Sequence, residues 1–239
     1  MVRRGATCVL LLAAVQICGG CGPSVDPITV ASGCPGQPLR GPDNFADQPG
    51  AHFRLIDDFE THNKLLTQGS GRDGAWVLGT DGTSVALVDE PSSHCAARDL
   101  WAGHFEARGF TSWGVNWTAV FHPATSSNAP VAYDGSAYSG ISFWAAFGGE
   151  NGPPFDVPVG VATMDTAYNS SICSPCNDHY MTKVALSGDW QRFVVRFDQM
   201  VQAGSGNPQV PMRRDQMVGF VIWPRQSFDL WIDDVRFEL

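Results

Sequence analysis

Charge is scarce in this sequence. Only 16% of the 239 residues are charged, and the formal net charge is −9. Binding to nucleic acid through a basic surface is therefore excluded, because it needs clustered Lys and Arg. Long helical runs are lacking as well. The 26 Gly and 16 Pro interrupt the chain, and no stretch of about a dozen residues carries an amphipathic helical stripe. No apolar run reaches the roughly 20 residues that a helical membrane span needs. The G-x-S-x-G elbow of a serine hydrolase and the H-E-x-x-H of a zinc peptidase are absent. His52, His62, His94, His104, His122 and His179 are scattered without metal-binding spacing. The paired acids Asp57/Asp58 and Asp233/Asp234 lie in strand-like segments, whereas glycosidase work needs two carboxylates facing each other across a cleft. The chain reads as a non-enzyme.

What is present is apolar and aromatic. Hydrophobic residues make up 44% and aromatic ones 11%, too much for a disordered chain. The start is a special segment. Arg3 and Arg4 precede a mostly apolar stretch over residues 6–17, which ends at Cys18-Gly19-Gly20-Cys21. A charged start, a short apolar run and small residues before a cut site read as an export signal over residues 1–20. Small residues directly before a cysteine resemble the bacterial lipobox, although Cys18 stands where Leu is usual. The resemblance makes Cys21 the lipidated first residue of the mature protein; the alternative is ordinary cleavage with Cys21 left as a thiol. Cleavage removes two positive charges and no acid, so attachment to the bacterial cell envelope, at the outer membrane or cell surface, would come from the lipid alone.

Outside the signal and Cys21, four cysteines are left: Cys34, Cys95, Cys173 and Cys176. An even number in an exported chain suggests two disulfides, with three possible pairings. Cys173–Cys176 with Cys34–Cys95 is the pairing favoured here. Cys173, Cys176 and His179 could instead hold zinc, but an oxidising compartment favours the disulfide.

Residues 21–51 are rich in Pro, Gly, Asp and Ser and read as a flexible linker. One domain over residues 52–239 follows. Strand-like runs at 54–59, 75–78, 84–88, 114–121, 141–147, 157–164, 190–197, 217–223 and 228–237 alternate with turn clusters. In 190–197, Phe193, Val195 and Phe197 share one face and Arg192 and Arg196 the other, which is the period of a half-buried strand. Residues 198–201 and 213–217 each suit a single helical turn. This pattern predicts an all-β jelly-roll β-sandwich. Residues 69–74 match G-x-G-x-x-G, but a strand-like run follows them where a dinucleotide site needs a helix, so they read as a loop.

Seven segments carry a family resemblance: LIDDFE (55–60), GRDGAWVLGTDGT (71–83), GFTSWGVNW (109–117), YDGSAYSGISFWA (133–145), CNDHY (176–180), DWQRFVVRFDQM (189–200) and FDLWIDDVRFEL (228–239). In this order they resemble the galactose-binding-like jelly roll of carbohydrate-binding modules. The likeness is closest to the family-eleven type and to copies in lipoproteins of myxobacteria-like bacteria. It implies a non-catalytic surface lipoprotein that binds glycan or polysaccharide. The alternative is a structural or protein-interaction lipoprotein using the same fold without sugar.

Two site expectations follow. Sugar rings stack on aromatic faces while polar groups bind their hydroxyls. Trp113, Trp117, Tyr168 and Tyr180 are candidate stacking residues, with Asp178 and His179 as polar partners. Strand alternation also places Asp57 beside Leu55 and Phe59, and Asp233 beside Trp231, Val235 and Phe237, on faces expected to be apolar. A buried carboxylate needs a partner, either an Arg or a hard cation with oxygen ligands. The resemblance implies a structural Ca2+ joining the first and last strands, held by Glu60 and Asp233 with Asp57 and Asp58 as neighbours.

Overall fold

The protein was analysed as a computed structural model, which describes residues 54–67, 71–93, 101–148, 155–173, 176–204 and 210–239. The readings made for residues 1–51, including Cys21 and Cys34, and for Cys95 lie outside the described residues.

The described residues form eleven strands. They are β1 (Leu55–Asp57), β2 (Ala75–Thr80), β3 (Ala86–Ser93), β4 (Ala102–Arg108), β5 (Val115–Val120), β6 (Gly140–Phe147), β7 (Phe155–Thr163), β8 (Tyr180–Leu186), β9 (Gln191–Arg196), β10 (Met217–Ile222) and β11 (Phe228–Glu238). Two 3-10 turns, Phe197–Gln199 and Arg214–Gln216, fall where single helical turns were expected. One sheet runs β3-β4-β11-β6-β9, with β1 added on β11; the other runs β2-β5-β10-β7-β8. All pairings are antiparallel. The result is an all-β sandwich of jelly-roll type, and its first and last strands are neighbours, with Leu55 opposite Arg236.

The core fills the space between the sheets. Phe105, Ile141, Phe143, Leu230 and Ile232 enter it from one sheet, and Trp117, Val159, Phe220 and Ile222 from the other. Phe143 meets Phe220 at 5.4 Å and Phe105 meets Trp117 at 5.1 Å between ring centroids. Each such ring contributes about 1.5–3 kcal/mol by leaving water. In β5 the alternation is regular. Val115, Trp117 and Ala119 are buried, while Asn116, Thr118 and Val120 point away from the core.

Two strands were not expected, β4 and β8. In β4 the core-facing residues are Gly103, Phe105 and Ala107, so the apolar signal is weak. Gly103 is required, because a Cβ there would strike the rings of Trp117 and Phe59. In β8 the inward residues Tyr180, Val184 and Leu186 alternate with Met181, Lys183 and Ala185, and Thr182 dilutes the pattern.

Two facial assignments are corrected. Phe228, Leu230 and Ile232 point into the core, while Trp231 points outward into a separate cluster with Ala102, Ala146 and Trp190. The register of β11 then shifts between Asp233 and Arg236, with Asp234 in the left-handed region at φ 52°. Beyond that bulge Val235 and Phe237 enter the core, so they do not share a face with Trp231. In β1 it is Ile56 that enters the core, with Phe59 reaching it through a left-handed backbone at φ 60°, while Leu55 is half-buried.

The loop before β2 is held by a buried cation. Arg72 donates to Leu55 O and, at 2.8 Å, to Tyr133 Oη, and lies over the rings of Tyr133 and Phe237. A strand follows the loop, as the reading of the glycine-rich segment required.

Candidate functional site

The outward face of the five-stranded sheet carries an open cleft of about 850 Å³. Its floor is built from alternation. Residues whose neighbours enter the core necessarily face the other way: Val77 and Gly79 in β2, Asn116, Thr118 and Val120 in β5, Ala162 in β7, and Val221 and Trp223 at β10. Loops supply the rim. Trp113 comes from the β4–β5 connection, His122 and Asn128 from β5–β6, Tyr168, Asn169, Asn177 and His179 from β7–β8, and Arg225 from β10–β11. Asn128, Asn169 and Asn177 all adopt left-handed backbone, which Asn tolerates better than most residues.

Aromatic surface is open at the rim. Tyr168 is 69% exposed and Trp113 39% exposed. Trp223 is nearly covered: it donates from Nε1 to Trp113 O at 3.2 Å, meets the Trp113 ring edge-on at 5.9 Å, and lies 4.3 Å beneath the Arg225 guanidinium. Trp223 thus acts as the support on which Trp113 and Arg225 are set.

Polar groups converge on the same space. His179 is almost buried, with Nδ1 2.9 Å from Thr166 Oγ1. Burial lowers its pKa from 6.5 to about 4, so the ring is neutral near pH 7 and offers one N–H and one lone pair. His122 Nδ1 sits 2.6 Å from Asp73 Oδ1. Among the described residues, none that lines the cleft is Asp or Glu.

Of the six expected ligand contacts, the structure brings together Trp113, Tyr168 and His179. Three belong elsewhere. Trp117 is completely buried between the sheets, because its position in β5 alternates inward. Tyr180 points into the core at the start of β8, with its Oη donating to Val210 O at 3.0 Å. Asp178 is buried, and its carboxylate accepts Ala203 N at 2.9 Å and Gly204 N at 3.0 Å, pinning that loop. Sequence reading missed Trp223 and Asn116. Both were accessible through period-2 alternation, since Phe220 and Ile222 face inward and Val115 and Trp117 do likewise.

Cys173 and Cys176 form a disulfide, and Cys176 lines the cleft. A redox helix is not formed there; the chain passes directly into β8.

The carboxylates assigned to a cation by resemblance are engaged by the chain. Asp57 Oδ1 accepts Phe59 N at 3.0 Å, and Oδ2 accepts Trp76 Nε1 at 2.7 Å. Burial raises the Asp57 pKa from 3.8 to about 7, against the opposing pull of those two donors. Asp58 Oδ1 accepts Glu60 N, Glu60 Oε1 accepts Trp101 N at 2.8 Å, and Asp233 Oδ1 accepts Asp234 N at 2.7 Å. Among the described residues, a different trio of possible ligands converges: His104, Glu106 and Asp229.

No family model matches the chain, and no curated protein does. Several solved structures resemble it. The family 11 carbohydrate-binding module of a cellulosomal cellulase of Clostridium thermocellum has 13% identity, covering 77% of this chain and 93% of that one, at a TM-score of 0.49. The Clostridium thermocellum module in complex with a β-1,3-1,4-mixed-linked tetrasaccharide has 13% identity over 77% and 94%, at 0.48. An agarase also matches, with 8% identity over 77% of this chain and 26% of its own, at 0.44. None of these three reaches a TM-score of 0.5, and no ligand is carried from them to this chain.

Proposed function

We propose that the cleft on the five-stranded sheet binds a carbohydrate chain and leaves it chemically unchanged. The observation behind this reading is the combination of exposed aromatic surface at Trp113 and Tyr168 with the amides of Asn116, Asn169 and Asn177 in one groove. A pyranose has an apolar face of C–H groups and a rim of hydroxyls. An indole or phenol ring takes the first, and amides and a neutral imidazole take the second. The volume lies within the roughly 300–1,000 Å³ common for ligand sites. Glycoside hydrolysis calls for a carboxylate pair across the scissile bond, and the described residues of the lining offer none.

Electrophoresis through gels containing soluble β-glucan, xylan, galactan or mannan tests the reading. We expect retardation by at least one polysaccharide. Trp113→Ala and Tyr168→Ala should each weaken binding about tenfold or more while keeping the wild-type unfolding midpoint. Unretarded migration in every gel would favour a protein-docking role for this face, and new reducing ends would favour catalysis.

The same reading takes residues 1–20 as an export signal and Cys21 as lipid-bearing, on sequence alone. Incorporation of labelled fatty acid, abolished in Cys21→Ser, is the expected result.

A further inference from the structure

The outward side of the six-stranded sheet carries a polar cluster that the cleft does not use. His104 and Glu106 lie two apart on β4, so they share a face. Asp229 on β11 is directly opposite Glu106, and His104 is opposite Trp231. Three potential ligand atoms, one imidazole nitrogen and two carboxylate oxygens, therefore come from two hydrogen-bonded strands and lie within 4.8 Å of one another. All three residues are buried, Glu106 to 2% exposure.

Two acids directly opposite each other on neighbouring strands repel, and burial strengthens the repulsion. His104 and Arg108 stand against the two acids. His104 Nε2 is 2.9 Å from Asp229 Oδ1. Arg108 Nε is 2.7 Å from Glu106 Oε1, yet that buried oxygen makes no hydrogen bond. Elsewhere the surroundings are shaped around the cluster. The Trp231 ring stacks on the His104 imidazole at 4.1 Å and 10°, which fixes the plane of the ring. A Cβ at Gly148 would overlap the Asp229 carboxylate, so a glycine leaves that carboxylate its place.

We propose that His104, Glu106 and Asp229 form a binding site for a divalent transition metal ion of the zinc type. An imidazole nitrogen favours zinc-like ions over calcium or magnesium, which prefer all-oxygen shells. Ligand atoms around a tetrahedral zinc stand about 3.4 Å apart at bond lengths near 2.1 Å. The His104–Asp229 contact has only to open slightly, with Nε2 giving up any proton it holds, for the trio to close on an ion. The ion balances the two opposed carboxylates, and a water completes the shell. The site staples β4 to β11 on the side of the sandwich away from the core.

The test uses the untagged, chelator-stripped full chain in excess Ca2+, which keeps any calcium-selective site filled. Zn2+ is titrated against a chromophoric chelator, and the unfolding midpoint is followed with added Zn2+. One saturable Zn2+ per chain is expected, with a midpoint that rises with Zn2+ concentration. His104→Gln, Glu106→Gln and Asp229→Asn should each lower the affinity about 100-fold or more. Should these variants fail to fold, Co2+ in the wild-type chain gives a second reading. Ligand-field bands without thiolate-to-metal charge transfer support the site, whereas a charge-transfer band would move the metal to cysteine. Absence of saturable Zn2+ binding, or binding unaltered in folded variants, would overturn the proposal.

Discussion

The five-stranded sheet turns outward a groove with open aromatic rings and carboxamides; the six-stranded sheet turns outward Trp190, Trp231 and three buried ionisable residues. Both faces are rich in tryptophan, yet the most exposed of the described tryptophans, Trp113, stands on the five-stranded side. Trp190 and Trp231 pack on each other's cluster with Ala102 and Ala146, and the His104 ring covers Trp231. Trp113 meets Trp223 edge-on and keeps 39% of its surface exposed. Availability is thus set by what stands beside a ring, and residue type alone does not decide it.

Substitutions sharpen this contrast. The largest effect is expected from Trp190→Ala, which should lower stability in urea unfolding by about 3–5 kcal/mol, as for other buried aromatic deletions. Trp113→Ala should change it by less than about 1 kcal/mol. Equal losses would erase the distinction between the two faces. Next comes His179, the buried titratable group of the cleft. Its folded-state pKa of about 4 lies below the ordinary 6.5, so the unfolded chain binds more protons between those values. Its contribution to stability is complete above about pH 6.5 and declines as pH falls toward about 4. The stability difference between wild type and His179→Gln should therefore shift by up to about 3 kcal/mol across that window. A constant difference would show that the imidazole is not held neutral. The smallest effect is expected from Arg225→Ala. Loss of the guanidinium over Trp223 should cost no more than about 1 kcal/mol of stability, measured by thermal unfolding.

Much of the sandwich was legible in the sequence because short apolar runs, bounded by turn clusters, mark its strands. Nine runs were found, and 190–197 and 217–223 correspond closely to β9 and β10. The strands that escaped, β4 and β8, have small or hydroxylated residues on their inward side, which mutes the period. The left-handed residue Asp234 hid a different fact. A bulge exchanges the two faces of β11 midway, and no period-2 count crosses it correctly. At the cleft, alternation in β5 already separated Trp117 from Asn116, but ranking residues by their chemistry favoured the tryptophan. Pairings between distant strands carry no local signal. This is why His104 and Asp229, 125 residues apart, meet only in the folded chain.

Because β1 pairs antiparallel with β11, the backbone enters and leaves the described sandwich side by side, Leu55 facing Arg236. A short peptide could join those ends, and new termini could be cut in the exposed turn around Asn128. Such a rewired ring-and-cut version should keep the sandwich intact, and the domain could likewise be spliced into a loop of a host protein without prying that host apart.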